Sequence, residues 1–151
     1  MKTNRVFASA LSLLLIGGFI PAHADDAAAA RAATVAVIQT KYVSVLDADK
    51  IKLTALKAKM KVEPSLLKQV NSVILDFDTN YAAIVSGLAN PDQAIQAIID
   101  LCEEEVEEFG NSIYQLELMA KKIKTITCIK GKTSKSVSGL APKCPTGYIK
   151  K

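Results

Sequence analysis

The strongest constraint on this chain is the apolar run between Ile95 and Ile123. Ile95, Ile99, Cys102, Val106, Phe109, Ile113, Leu116, Ala120 and Ile123 recur at alternating spacings of four and three. That is the a and d seam of a heptad, and it places all nine on one stripe of a helix. Glu103, Glu104, Glu105, Glu107 and Glu108 fall off the stripe, so the spacing predicts a solvated acidic face away from the seam. A long helix with such a stripe is unstable alone in water and needs partner helices to cover it.

Two upstream stretches supply partners. Asp25 and Asp26 ahead of Ala27–Ala30 form a helix start, with acids at the positive end of the dipole and the best helix former behind them. A stripe follows through Val35, Ile38, Tyr42, Val45 or Leu46, Leu53, Leu56 and Met60. Asp49 interrupts it. Three readings stand: Asp49 lies at the seam's edge, it marks a break or kink, or it is a buried polar residue that fixes register. Glu63-Pro64 ends this helix and starts the next, because the residue before proline disfavours helical geometry and proline suits a first helical position. Leu67, Val70, Ile74, Phe77, Tyr81, Ile84 and Leu88 then repeat without a polar interruption. At Asn90-Pro91-Asp92-Gln93 the chain restarts, with Asn90 as cap, Pro91 as first helical residue and Gln93 reaching back as in a capping box. Gly110 costs the third helix roughly 1 kcal/mol relative to Ala, but the heptad passes through it in phase.

The fold class is therefore mainly α: an elongated, coiled-coil-like antiparallel three-helix bundle, with helices over about 26–61, 64–88 and 91–124. Short connections between long helices imply up-down-up topology. A composition half hydrophobic but only 5% aromatic, with no Trp, suits close helix packing.

Residues 1–24 read as an address. Lys2 and Arg5 precede the apolar run Phe7–Ile20, Pro21 breaks it, and Ala22-His23-Ala24 is a small-x-small cleavage site. This is the layout of a secretory signal peptide with expected cleavage after Ala24; an uncleaved N-terminal anchor is the alternative. The run is short for a membrane span, and none is expected after cleavage. Cleavage would also remove His23, the one histidine, and with it the commonest general base and metal ligand.

After Lys124 the composition changes. Residues 125–151 carry six lysines and no acid, whereas residues 25–124 carry 11 basic against 15 acidic residues. Thr and Ile alternate on either side of Lys130-Gly131-Lys132, which predicts a short β-hairpin. Isolated hairpins are marginal in water. A Cys128–Cys144 disulfide would add roughly 3 kcal/mol in the chain-entropy model, and export would let it persist. Zinc is the competing use, but two Cys without His or a CxxC pair make a poor site.

The segment ITCIKGKTSKSVSGLAPKCPTGYIKK resembles a short basic two-cysteine C-terminal module found on many otherwise unrelated secreted actinobacterial proteins. Thr127, Cys128, Lys130, Gly131, Lys132, Val137, Pro142, Lys143, Cys144, Pro145, Gly147 and Tyr148 carry the likeness. Ser134, Ser136 and Ser138 make this copy less basic than lysine-rich versions. The resemblance covers only the last 27 or so residues and implies surface or secreted status.

Chemistry is sparse. Glu103 with Glu107, and Glu104 with Glu108, are like charges one turn apart. A hard cation would relieve them, but inward-facing Glu-x-x-His pairs are lacking. A solvated face, or contact with Lys57, Lys59 and Lys61, is the simpler expectation, and no metal or cofactor is expected. Cys102 on the seam reads as a small buried hydrophobe. No Ser has a G-x-S-x-G setting, and no catalytic residue is assigned.

Lys130, Lys132, Lys135, Lys143, Lys150 and Lys151 are the candidate contacts for an anionic partner, weighed equally against a role in solubility or pairing with the acidic helix. The sequence predicts a non-enzymatic protein, secreted or associated with the cell envelope. It would act as a spacer or interaction element, contacting an anionic envelope polymer or another envelope protein but not nucleic acid. The alternatives are a carrier of a lipid or other hydrophobic ligand in the bundle interior, and a homo-oligomer formed through the same apolar stripes.

Overall fold

The computed structural model describes residues 24–151, so the predicted signal peptide lies outside the described residues except for Ala24. Three helical rods form the body. The first is continuous from α1 (Ala24–Ile38) through a π-turn (Gln39–Val43) into α2 (Ser44–Met60), with helical backbone angles at both junctions. Its buried side is Ile38, Tyr42, Leu46, Asp49, Leu53, Leu56 and Met60, which selects Leu46 over Val45.

The irregular turn sits at 39–43, not near Asp49. There the Thr40 hydroxyl donates to the Ala36 carbonyl at 2.9 Å and the Ser44 hydroxyl to the Thr40 carbonyl at 2.6 Å. Such bonds compete with the helical ladder and loosen it. The helix runs through Asp49 without a break. Asp49 is 3% exposed, and its Oδ1 accepts a hydrogen bond from Lys52 Nζ at 2.8 Å. A cation one turn onward lets the carboxylate stay in the seam.

The second rod, α3, spans Pro64–Ala89. Glu63 before it is extended (φ −129°, ψ 106°), as a residue preceding proline should be. Val70, Phe77 and Ile84, seven apart, are buried, with Leu66 rather than Leu67 at the lower end. Leu67, Ile74, Tyr81 and Leu88 pack at the margins.

The third rod, α4, spans Ile95–Lys121 and begins later than the expected Pro91. Asn90 closes α3 instead of capping α4. Its Oδ1 accepts from the Asp92 amide at 3.0 Å, and its carbonyl from the Gln93 amide at 3.2 Å. Arg31 secures this loop by donating to the carbonyls of Asn90 at 2.6 Å and Gln93 at 2.9 Å. The helix is unbroken at Gly110, as its phase predicts. The seam, however, runs Ile98, Cys102, Glu105, Phe109, Ile113, Leu116, Ala120, leaving Ile95, Ile99, Val106 and Ile123 partly buried. A strict 3.5-residue repeat drifts against a straight helix of 3.6 residues per turn. Ile98, eleven residues before Phe109, is three near-whole turns away and so takes the place expected of Ile99.

Cross-rod pairs fix the topology. Tyr81 meets Asp47 and Lys50 meets Asp78, so α2 and α3 are antiparallel. Arg31 meets Gln93 and Tyr42 meets Glu103, so the first and third rods run parallel. At the centre, Phe77 packs on Phe109 with ring centroids 4.9 Å apart and on Tyr81 at 5.7 Å.

A three-stranded antiparallel sheet in the order β2-β1-β3 follows. Its strands are β1 (Lys124–Lys130), β2 (Thr133–Gly139) and β3 (Ile149–Lys150). Lys130 pairs with Thr133, which leaves a two-residue turn whose Gly131 has φ +57°, the left-handed geometry that two-residue hairpins require. The predicted hairpin is thus formed, and β3 on the outer side of β1 is an addition to it.

Because Phe77 packs against both Tyr81 and Phe109 at the centre of the core, Phe77→Ala should cost about 3–5 kcal/mol. Urea unfolding followed by far-UV circular dichroism checks this.

Candidate functional site

The sheet module is the most distinctive chemical surface of the chain. Cys128 and Cys144 form the predicted disulfide, and Cys128 is fully buried beneath it. Alternation along β1 places Ile126, Cys128 and Lys130 on one face. Register adds Val137 opposite Ile126, and both Lys135 and Lys150 opposite Cys128. The other face carries Thr125, Thr127, Ile129, Ser134, Ser136, Ser138 and Ile149, with Thr125 and Ser138 hydroxyls bonded at 2.7 Å. The sheet therefore has a cationic face and an uncharged, hydroxyl-rich face.

Three of the six predicted contact lysines, Lys130, Lys135 and Lys150, share the cationic face. Lys132 lies in the hairpin turn, Lys143 precedes Cys144, and Lys151 ends the chain, its amide donating to the Thr127 carbonyl at 2.9 Å. All six are exposed, and among the described residues none forms an ion pair. Tyr148, which the sequence marks only as part of the C-terminal likeness, belongs to this face. Its half-buried ring lies 5.3 Å from Lys135 Nζ and 6.0 Å from Lys130 Nζ. Glu63 was missed as the module's tether to the bundle: its Oε2 accepts from the Leu140 amide at 3.4 Å.

The up-down-up course sorts charge along the rod. One end, residues 50–75 and 110–151, holds 15 lysines against Glu63 and Glu117. The other, residues 24–49 and 76–109, holds 13 carboxylates against Arg31 and Lys41. Ion pairs among the described residues link Lys41 to Glu103, Lys50 to Asp78 and Lys52 to Asp49. The expected contact of the acidic run with Lys57, Lys59 and Lys61 is not formed, because the first and third rods run parallel with Tyr42 level with Glu103, which leaves those lysines beyond the run at the other end. The module lysines are likewise held away from the acidic helix. No family model, curated protein or solved structure matches this chain.

The acidic run is not uniformly solvated. Glu103 accepts a hydrogen bond from the Tyr42 hydroxyl, which in turn accepts one from Lys41. Glu105 is 5% exposed and its Oε2 lacks a hydrogen-bond partner. This corrects the expectation that all five glutamates face outward; the straight-helix phase that brings in Ile98 brings in Glu105. Burial pushes its carboxyl above the ordinary value of 4.5, with Glu108, Glu104 and Asp76 adding to the rise and the Asn80 amide opposing it. Among the described residues, no three His, Cys, Asp or Glu side chains are grouped to hold a metal ion, and no helix is long and apolar enough to cross a membrane. Cys102 is a buried free thiol, raised by burial and then by Glu103. An open apolar groove of about 580 Å³ runs between α1 and the end of α3, lined by Val35, Leu88, Pro91 and several alanines.

Glu105 has a raised folded-state pKa, so the folded chain binds its proton more tightly than the unfolded chain. Its contribution is full below the ordinary carboxylate value and is lost as pH rises through the raised one. Glu105→Gln should stabilise the bundle at pH 7 by about 1 kcal/mol, the scale of an unpartnered buried polar group. It should also flatten the loss of stability above pH 4.5, as read from urea midpoints across pH. Reduction of the disulfide should destabilise the sheet by about 3 kcal/mol while leaving the helices intact, visible as faster amide exchange in β1 but not in α3.

Proposed function

We propose that this chain is a non-enzymatic exported protein of the cell envelope or its surroundings, a helical spacer whose basic sheet end contacts an anionic envelope polymer. The observation that carries the reading is the segregation of charge. The fold gathers nearly all lysines at the end bearing the module and leaves the module lysines without acidic partners. Charge so gathered attracts and orients a polyanion, an effect that weakens with ionic strength. The opposite, acidic half would then project away from the anionic surface, which makes the rods a rigid display element.

Lysine-only chemistry suits this role, because an ammonium is a compact point charge that meets many oxyanions without a fixed geometry. The signal-peptide layout of residues 1–24 and the disulfide both fit an exported protein.

The mature chain should be retained by its own cell envelopes at about 50 mM salt and released at about 500 mM, where the Debye length has shrunk to a few ångströms. A full-length variant with the six module lysines changed to glutamine should not be retained at either salt. Retention of that variant equal to wild type would overturn the reading.

A further inference from the structure

We propose that Lys130 and Lys135, held at the Tyr148 ring, together with Lys150 on the same sheet face, form a binding site for the phosphate groups of a polymer. The inference rests on the contact role proposed for the module and assigns it a place, a ligand class and a positioning residue.

The geometry is built rather than incidental. Lys135 and Lys150 pair with the same residue, Cys128, from opposite sides. At about 4.8 Å between strands, their Cα atoms stand roughly 10 Å apart on one face. Lys130 lies two residues along β1 on that face, about 7 Å from Cys128 and so about 8 Å from each of the other two Cα atoms. Tyr148 draws two of these like charges to one ring, since an aromatic face attracts ammonium groups within about 6 Å. The ring is held from two directions: the Tyr148 amide donates to the Pro145 carbonyl at 3.0 Å, and Cys144, four residues earlier, is bonded to the centre of the sheet.

Gly147 completes the arrangement. It has φ +81°, a conformation that favours glycine, and Lys130 Nζ lies 3.3 Å from where a Cβ would stand, so the ammonium packs directly over the glycine.

Ammonium groups on one face repel one another, residues 125–151 contain no Asp or Glu, and among the described residues these lysines form no ion pair. A polyanion is the complement such a face lacks. The site offers point charges and no guanidinium fork, and no Arg follows Arg31 in the sequence. Lysine point charges are an established way to hold phosphate, and they meet its tetrahedrally arranged oxygens without the fixed planar geometry of a guanidinium fork. A chain of phosphates can place successive groups at Lys135, Lys130 and Lys150, which a single small anion cannot.

The test uses the full mature chain and long-chain inorganic polyphosphate, with affinity read by calorimetry at low salt. Tyr148→Leu, which leaves the net charge unchanged, should weaken binding about five- to tenfold, the worth of two modest cation–π contacts. Tyr148→Phe should bind like wild type, because the ring is kept. Ser136→Ala on the hydroxyl face should also bind like wild type. Orthophosphate alone should bind far more weakly than the polymer. Equal affinity of Tyr148→Leu and wild type would overturn the positioning role, and equal affinity for polygalacturonate would overturn the phosphate assignment. In either case, salt-sensitive envelope retention that depends on the six lysines would leave the contact role standing.

Side-chain chemical shifts of the unmodified protein give a readout independent of any variant. Polyphosphate should move the Lys130, Lys135 and Lys150 signals while sparing Ser134 and Ser136. Shifts spread evenly over the lysines of the whole basic end would overturn the site.

Discussion

Everything in this molecule depends on three apolar stripes that can be buried only against one another. No single helix here is stable in water by propensity alone. The Val70, Phe77 and Ile84 row of α3 is covered from one side by the first rod and from the other by α4. Phe77 against Phe109 fixes the level at which the rods meet, and the short turns at 61–63 and 90–94 leave up-down-up as the available course. Once that course is set, every charged residue has a height along the rod. The segregation of lysines from carboxylates follows from packing, although packing itself is indifferent to charge.

Two carboxylates enter the seam, and they differ in one respect. Asp49 has Lys52 within hydrogen-bonding distance, so burial does not leave it unanswered. Glu105 has an oxygen without a partner and acidic neighbours on both α3 and α4. An unpartnered buried charge works against folding, so the rest of the core must offset it. The cost falls in the acidic half, away from the sheet, and the module end of the bundle is free of such a defect among the described residues.

The sheet obeys a different rule from the bundle. It is too small to bury a core of its own, so covalent closure takes the place of hydrophobic area. The same closure that stabilises β1 also brings Tyr148 over Lys130 and Lys135. The Glu63 contact to Leu140 ties this module back to the turn between the first two rods.

The sequence alone determined the existence and number of the rods, the breaks at Glu63-Pro64 and Asn90-Pro91, the hairpin turn at Gly131-Lys132 and the Cys128–Cys144 pairing. Each of these is written in short-range terms: a repeat of three and four, a proline that forbids helix before it, a glycine that permits positive φ, two cysteines in one small segment. The start of α4 escaped such reasoning because Asn90 can cap a helix or close a turn with equal chemistry, and Arg31, sixty residues away, supports the turn. Glu105 escaped because a heptad and a straight helix differ by a fraction of a residue per turn, and that drift decides which of two adjacent side chains is buried. The cationic sheet face, the position of Tyr148 over Lys130 and Lys135, and the charge polarity of the rod were decided by tertiary structure. They arise from register and antiparallel packing, which bring together residues whose spacing along the chain carries no period of its own.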